Sequence, residues 1–280
     1  MKPILVFQTD FTYKEGAVCA MYGVVKSVDR ELEIIDGSHV LPKYDTWSAS
    51  YRLFQSMKFW PKGTIFVSVV DPGVGTPRKA SIAKTLDGYY VVSPDNGSLT
   101  HLKRKMGIVE IREIDESTNR LQGKNTEKTS VFHGRDLFAY CAAKLASGKI
   151  TFEQVGPSYP VEEVVEHEIS EPSVNGSTIY GCLEIDDPNF GNVWTDIPLS
   201  LCHENGFDFD REYDVTIKHK GEVVFQKRLF FGKSFGYAKK GDPLIYNNEI
   251  LNIALAVSQG SFTKNYKVGH GKEWTIELEK

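Results

Sequence analysis

Ile65-Phe66-Val67-Ser68-Val69-Val70 runs uncharged into Asp71-Pro72-Gly73-Val74-Gly75-Thr76-Pro77-Arg78. A short, apolar, β-branched run bounded by a turn reads as a strand buried on both faces, the habit of parallel sheets. This one ends on a carboxylate, then a rigid Gly/Pro turn, then an arginine. A shorter version stands at the start of the chain, where Ile4-Leu5-Val6-Phe7 leads to Thr9-Asp10-Phe11. In open α/β sheets, ligands bind outside the carboxyl ends of such strands. Asp10 and Asp71 are therefore expected at one edge of one sheet.

Around these strands the first half of the chain alternates between two periods. Ala17, Val18, Met21, Val24, Val25 and Val28 recur at helical spacing between Gly16 and Asp29. Leu32 to Ile35 is expected as a short strand. Asp45 is expected to cap a helix through Phe59 that turns Trp47, Tyr51, Phe54 and Met57 inward. Ala80–Thr85 and Tyr89–Ser93, joined by Asp87-Gly88, read as a hairpin. Pro94-Asp95-Asn96-Gly97 leads into a short helix, and Gly107 to Ile114 is a strand. Asp115 to Thr129 reads as an exposed loop. Phe132-His133-Gly134-Arg135-Asp136 opens a helix reaching Ala146. Strands alternating with helices imply a layered α/β sheet domain.

After Gly156 the composition turns to proline and glutamate. We divide the chain into an N-terminal α/β domain over 1–156, a linker over 157–177 and a β-rich C-terminal domain over 178–280. Strands are expected at Ser177–Ile185, Asn192–Ile197, Tyr213–Lys218, Glu222–Phe231 and Trp274–Leu278, with turns at Lys220-Gly221 and Lys240-Gly241. Short strands with turn signals point to a small barrel or a sandwich.

Composition removes several classes of function. At 280 residues the chain makes one large domain or two ordinary ones, and 41% hydrophobic with 25% charged residues is ordinary globular usage. A net charge of -4 offers no general attraction for nucleic acid or anionic lipid. No apolar run approaches a membrane span. The acid at Asp10 leaves no room for a signal-peptide core, so a cytoplasmic location is expected. The four cysteines, Cys19, Cys141, Cys182 and Cys202, show no CxxC spacing and are expected as free buried thiols.

Several groups carry possible chemistry, each beside a plainer reading. Arg78 would hold Asp71 ionised and oriented; on spacing alone the pair is equally a structural ion pair at a turn. His133 precedes a helix, where the positive end of the dipole favours the neutral ring, a proton acceptor; otherwise it merely caps the helix. Asp10 could bind a ribose diol with its two acceptor oxygens, or close the strand with an Asx-turn. Pro94-Asp95-Asn96-Gly97 is a turn by composition. Asp186-Asp187-Pro188-Asn189-Phe190-Gly191-Asn192-Val193-Trp194 combines acids, an amide and two aromatics, as purine recognition requires, yet also reads as a hairpin turn with a core Trp. Cys202-His203 has no second pair at finger spacing, so no metal site is expected. Gly73-Val74-Gly75 lacks the third glycine of a dinucleotide fingerprint.

Together TDF at 9–11, DPGVGTPR at 71–78, PDNG at 94–97, FHGRD at 132–136, FGN at 190–192 and LAVSQGSF at 255–262 resemble the S-adenosylmethionine hydroxide adenosyltransferases. These are adenosine-forming S-adenosylmethionine (SAM) hydrolases, related to the bacterial fluorinase and chlorinase. The resemblance spans nearly the whole chain, in order. It implies an α/β domain followed by a small β-barrel, assembled as a homotrimer, with each site between one subunit's N-terminal domain and its neighbour's C-terminal domain. It assigns Asp71, Arg78 and His133 to activating water. It places Asp10, with Phe11 and Glu15, on the substrate, Asp10 at the ribose. It puts Phe190, Asn192, Trp194 and Phe235 at the adenine, with Asn248, Glu249 and Val257 beside it, and either Asp186 or Asp187 as a further ligand acid. Departures from the family pattern are Thr12 for a glycine, Tyr140 after the GRD motif, the longer Asp187-Pro188-Asn189 approach to FGN, and Asn248-Glu249-Ile250-Leu251.

The implied reaction is attack of water on the 5′ carbon of SAM, giving adenosine and L-methionine. SAM is the substrate, so no resident cofactor or metal is expected, and neither nucleic acid nor membrane is an expected partner. A halide adenosyltransferase and a non-catalytic SAM or adenosine sensor are the alternatives.

Overall fold

Alternation along the strands decides how the first half of the chain packs. The computed structural model describes residues 2–123, 126 and 129–280. The chain folds into two compact units, Met1–His167 and Glu168–Lys280. The first unit is built on strands β1 (Leu5–Thr9), β2 (Ile34–Ser38), β3 (Ile65–Val69), β4 (Ala80–Thr85), β5 (Tyr90–Pro94), β6 (Ile108–Glu113) and β7 (Ser158–Tyr159). They form one sheet in the order β2-β1-β3-β5-β4-β6-β7. The first four pair in parallel and the rest are antiparallel.

Side chains alternate between faces along a strand. Leu5 and Phe7 pack into a core with Met21 and Val25 of helix α1 (Ala17–Val28) and with Leu137, Phe138 and Ala142. Val6 and Phe66 pack on the opposite face with Leu53 and Met57 of helix α2 (Thr46–Met57). Helices on both faces explain why β1 and β3 are buried at every position, with Gln8, Thr9 and Ser68 the polar exceptions in otherwise apolar strands.

Asp45 caps α2 as expected, accepting from the Ser48 amide at 2.9 Å. The expected strand at Leu32–Ile35 lies later, at Ile34–Ser38, because Leu32 is fully buried in the core ahead of it. A short π-helical turn at Leu102–Met106 follows the PDNG segment.

Within the expected loop at 115–129, residues 124–125 and 127–128 lie outside the described residues, as does Met1 of the expected N-terminal domain. The start of that stretch is helical: α3 (Glu116–Asn119) is capped by Asp115 and buries Asn119, whose amide donates to the carbonyls of Gln154 and Val155. The helix after Phe132 begins as a π-helical segment, Gly134–Ala139, and continues as α4 (Tyr140–Ala146). Both units take up parts of the expected linker. Val164 packs in the first unit's core, and β8 (Ser173–Asn175) joins the second unit's sheet.

The second unit contains β9 (Thr178–Asp187), β10 (Asn192–Pro198), α5 (Leu199–Glu204), β11 (Arg211–His219), β12 (Glu222–Phe231), β13 (Pro243–Asn247), β14 (Asn252–Val257), α6 (Phe262–Tyr266) and β15 (Trp274–Glu279). Its strand order is β10-β14-β13-β12-β11-β15-β9-β8, and β10 also pairs with β9. That last pairing closes seven strands into a barrel, settling the choice between barrel and sandwich. The long β9 makes closure possible: its first half pairs with β15 and its second half with β10. Strands β13 and β14 escape the sequence reading because both are short and β14 is buried at nearly every position, so neither alternates. Among the described residues no helix is long and apolar enough to cross a membrane. The cysteines form no disulfide; Cys141, Cys182 and Cys202 are buried, whereas Cys19 is exposed on α1, against expectation.

Candidate active site

Strands β1 and β3 are neighbours in parallel register, with Thr9 opposite Val69. Their carboxyl ends therefore deliver Asp10 and Asp71 to one edge. The chain leaves β1 for β2 on one side and returns to β3 on the other, so this edge is a topological switch point, where a crevice opens. A cavity of about 440 Å³ lies there, lined by Asp10, Phe11, Glu15, Tyr44, Asp71 and His133 among others.

Asp71 and Arg78 meet as their spacing implied. The Arg78 Nε donates to Asp71 Oδ1 at 2.9 Å and to Oδ2 at 3.1 Å, and Nη2 also donates to Oδ2. Both side chains are largely buried, and the guanidinium lies over the Phe138 ring, 5.3 Å from its centroid. Its position is thus over-determined. Arg78 also reaches across the fold to His133, with Nη2 3.0 Å from Nδ1. A guanidinium only donates, so Nδ1 is the acceptor, and a neutral ring then carries its proton on Nε2. Burial pushes the His133 pKa below its ordinary value, and Arg78 adds to this, so the neutral form is favoured. Nε2 has no hydrogen-bond partner among the described residues.

Asp10 is buried, and its Oδ2 accepts from the Tyr44 amide at 2.9 Å. Tyr44 reaches it through a left-handed backbone, φ 64°, a conformation uncommon outside glycine. Thr12 is left-handed too, at φ 61°. Its amide donates to the His39 carbonyl at 2.7 Å, which holds the loop after β1. His39 is itself fixed, with Nδ1 2.8 Å from Thr9 Oγ1 and Nε2 2.9 Å from the Tyr22 hydroxyl. Phe11 meets Phe132 edge-on at 5.9 Å. Glu15 Oε1 accepts from the Ala17 amide at 3.2 Å. The PDNG turn does not line the cavity. It braces the edge instead: Asn96 Nδ2 donates to the Val70 carbonyl at 3.0 Å, directly before Asp71, and Asp95 accepts from Tyr159 and from the Val165 amide.

The remaining candidates belong to the barrel unit. Asp187 and Gly191 close the tight turn of the FGN segment, the Gly191 amide donating to the Asp187 carbonyl at 2.7 Å. Gly191 has φ 70°, and a Cβ there would stand 2.1 Å from Ser261 Oγ, so only glycine lets FGN lie against the SQGSF segment. Asn192 and Trp194 are buried, and Trp194 Nε1 donates to the Tyr246 hydroxyl at 3.1 Å. The exposed ring of Phe235 packs 4.6 Å from Tyr246. Phe190 is exposed. Asn248 is buried; its Oδ1 accepts from the amides of Ile250 and Asn252, and its Nδ2 has no partner among the described residues. Val257 is buried at the end of β14, and Glu249 is exposed. Of the two acids, Asp187 lies 3.4 Å from Asn192 Nδ2, whereas Asp186 lies 3.6 Å from His270 Nδ1.

Sequence reading missed Lys43, Tyr44, Val74, Val131 and Phe132 as cavity walls. Their neighbours at Asp45, Gly73 and His133 carried turn or cap signals, but nothing local marks a loop residue that folds over a distant strand end.

Comparison with known proteins identifies relatives of both parts of the chain. Residues 5–156 match the family model of the SAM hydroxide adenosyltransferase N-terminal domain, and residues 181–275 match that of its C-terminal domain. The chain is 31% identical over 251 residues to the (R)-S-adenosyl-L-methionine hydrolase of Methanocaldococcus jannaschii, covering 88% of this chain and 85% of that one. It is 24% identical over 298 residues to a fluorinase of an Actinoplanes species, covering 98% and 97%. A crystal structure of an uncharacterized conserved protein from Thermotoga maritima superposes with a TM-score of 0.89 at 32% identity, covering 99% of this chain and 100% of that one. With both of its domains matched in order, the chain belongs to the SAM hydroxide adenosyltransferase family.

Proposed function

We propose that the protein hydrolyses SAM, water attacking the 5′ carbon in line with the departing sulfur, to give adenosine and L-methionine. The observation that carries this reading is the Asp71–Arg78–His133 set at the cavity on the β1/β3 edge. The sulfonium is already a good leaving group, so the reading calls for neither a metal nor an organic cofactor. The protein must place one water and exclude others, and such positioning can supply up to about 7–11 kcal/mol.

With Nδ1 engaged by Arg78, His133 has no free lone pair for the water's proton, so its sequence-based role as proton acceptor gives way to that of donor. Its Nε2–H holds the water oxygen, and the Asp71 carboxylate accepts a water hydrogen. As the O–C5′ bond forms, the C5′–S pair goes to sulfur as neutral methionine, and the proton passes to Asp71 and then to solvent. Asp10 takes the ribose diol. On the barrel unit, the exposed rings of Phe190 and Phe235 and the Nδ2 of Asn248 suit a purine.

The M. jannaschii relative is named for the (R) form of the substrate. The test therefore incubates the purified protein with each sulfonium epimer and follows adenosine by chromatography, with and without added halide. Adenosine above the uncatalysed rate is expected. Ligand binding without turnover would make the protein a sensor and overturn the proposal. So would 5′-halo-5′-deoxyadenosine forming at a rate rivalling adenosine. That outcome is disfavoured because an unpaired Asp71 carboxylate would repel a halide by about 4 kcal/mol for charges roughly 4 Å apart at an effective dielectric near 20, a repulsion that Arg78 offsets in part.

We further propose a homotrimer in which a neighbouring copy's barrel completes each site. In support, Tyr44 and Val131 line the cavity and are themselves exposed, so a second copy has apolar side chains to cover at the mouth of the site. Mixing Asp71→Asn protein with Asn192→Ala protein is expected to restore activity in hybrids. A fully active monomer in solution would overturn the assembly. The absence of disulfides suits a reducing, cytoplasmic setting.

A further inference from the structure

The charges around the cavity do not balance. Asp10, Glu15 and Asp71 bring three carboxylates to its wall, and the neutral His133 adds no positive charge. Each carboxylate already has a protein donor: the Tyr44 amide on Asp10, the Ala17 amide on Glu15 and Arg78 on Asp71. Lys43 also lines the cavity, and among the described residues it makes no ion pair or hydrogen bond. A lysine beside three carboxylates that pairs with none of them is available to a ligand.

Its backbone is not loose. The Asp45 amide donates to the Pro42 carbonyl at 3.2 Å, closing a turn with Lys43 inside it, and the next residue, Tyr44, grips Asp10. A fixed turn thus carries a long side chain with three rotatable donors to the rim of an acidic cavity.

On the hydrolase reading the substrate has a matching pattern. SAM carries two positive groups, the sulfonium and the α-ammonium, and one negative group, the α-carboxylate. With Asp10 on the ribose and Asp71 on the water, Glu15 remains for a positive group, and only the carboxylate calls for a cation. We propose that Lys43 is a specificity-determining residue that binds the α-carboxylate of the methionyl group. The inference rests on the SAM reading of this site. It explains how an otherwise acidic cavity would select an amino-acid sulfonium over one that lacks the carboxylate. Lys43 takes no part in the bond changes, so its loss acts on binding.

The test compares SAM with decarboxylated SAM, which keeps the adenosyl sulfonium and the amine. Binding is measured by calorimetry, and adenosine release separately, for the wild type, Lys43→Met and Lys43→Arg. A hydrogen bond to a charged group is worth about 1.5–3 kcal/mol, which corresponds to a weakening of roughly 10- to 150-fold. Lys43→Met is expected to weaken SAM binding and raise KM by that order, with kcat changed far less. Binding of the decarboxylated compound is expected to change less than twofold, and Lys43→Arg to recover most of the SAM affinity. Equal losses on both compounds, or no loss on either, would overturn the role of Lys43 while wild-type adenosine release left the hydrolase reading standing. A wild type that binds SAM in a Lys43-dependent way without releasing adenosine would do the reverse. No SAM binding by the wild type would overturn both.

Discussion

Asp71→Asn is expected to lower the rate of adenosine formation by about 10²–10⁴-fold, the usual loss when a positioned proton acceptor is removed. The substitution keeps the size and shape of the side chain, and Arg78 still has an oxygen to hold. It removes the negative charge and turns one acceptor oxygen into a donor nitrogen. The water would lose the group that takes its proton, and the guanidinium would lose its counter-charge inside a largely buried pair. Breaking a buried pair by neutralising one partner is destabilising, so stability must be measured alongside the rate. Single-turnover kinetics with SAM and calorimetric binding of adenosine separate the roles. A large fall in rate with adenosine affinity held within a few-fold is the expected result. Parallel losses in both would mean that Asp71 holds the ligand or the fold, and the water-activating assignment would fail.

The second large effect is on stability below neutral pH. His101 is fully buried beneath α2, with its ring Nδ1 3.0 Å from Ser50 Oγ and its edges against Trp47 and Tyr51. Burial lowers its pKa from the ordinary 6.5 to about 3, with Lys105 and His167 adding repulsion. The folded state therefore requires the neutral ring. The unfolded chain takes up a proton as pH falls below about 6.5 and the folded chain does not, so stability is lost progressively down to the folded pKa. At pH 5 the loss from this one group is about 2 kcal/mol, at 1.36 kcal/mol per pH unit. Burial also lowers the pKa values of His39 and His133, so they act in the same direction. Urea midpoints measured between pH 7.5 and pH 5 are expected to fall for the wild type and to fall less steeply for His101→Gln, which cannot protonate. Parallel pH profiles would show that His101 does not drive the acid loss.

The legible parts of this protein are those where a residue's environment is set by its near neighbours in the chain. The runs at Ile4–Phe7 and Ile65–Val70 announced strands covered on both faces; the strands are Leu5–Thr9 and Ile65–Val69, and two helix-bearing cores cover them. Asp45 announced a helix start and caps one. Local turn chemistry placed Asp71 at a strand end, and its spacing to Arg78 foretold the pair. The failures share a cause. Leu32 is apolar but sits in a loop, and Asn119 is polar but buried, because each is paired by residues far along the chain. β13 and β14 gave no alternation because burial on all sides removes it.

By itself, then, the sequence determined a layered α/β unit followed by a β-rich one, with two carboxylates at one sheet edge, since periodicity and turn residues report burial and chain reversal locally. Only the tertiary structure decided the rest. Closure of the barrel depends on the register by which β9 divides its length between β15 and β10. The hydrogen-bonding state of His133 depends on Arg78, which lies 55 residues away in the chain and fixes Nδ1 as an acceptor. The presence of Tyr44 and Lys43 at the cavity depends on a turn folding back over the end of β1. Such proximities are set by packing and long-range hydrogen bonds, which leave no periodic trace in the chain.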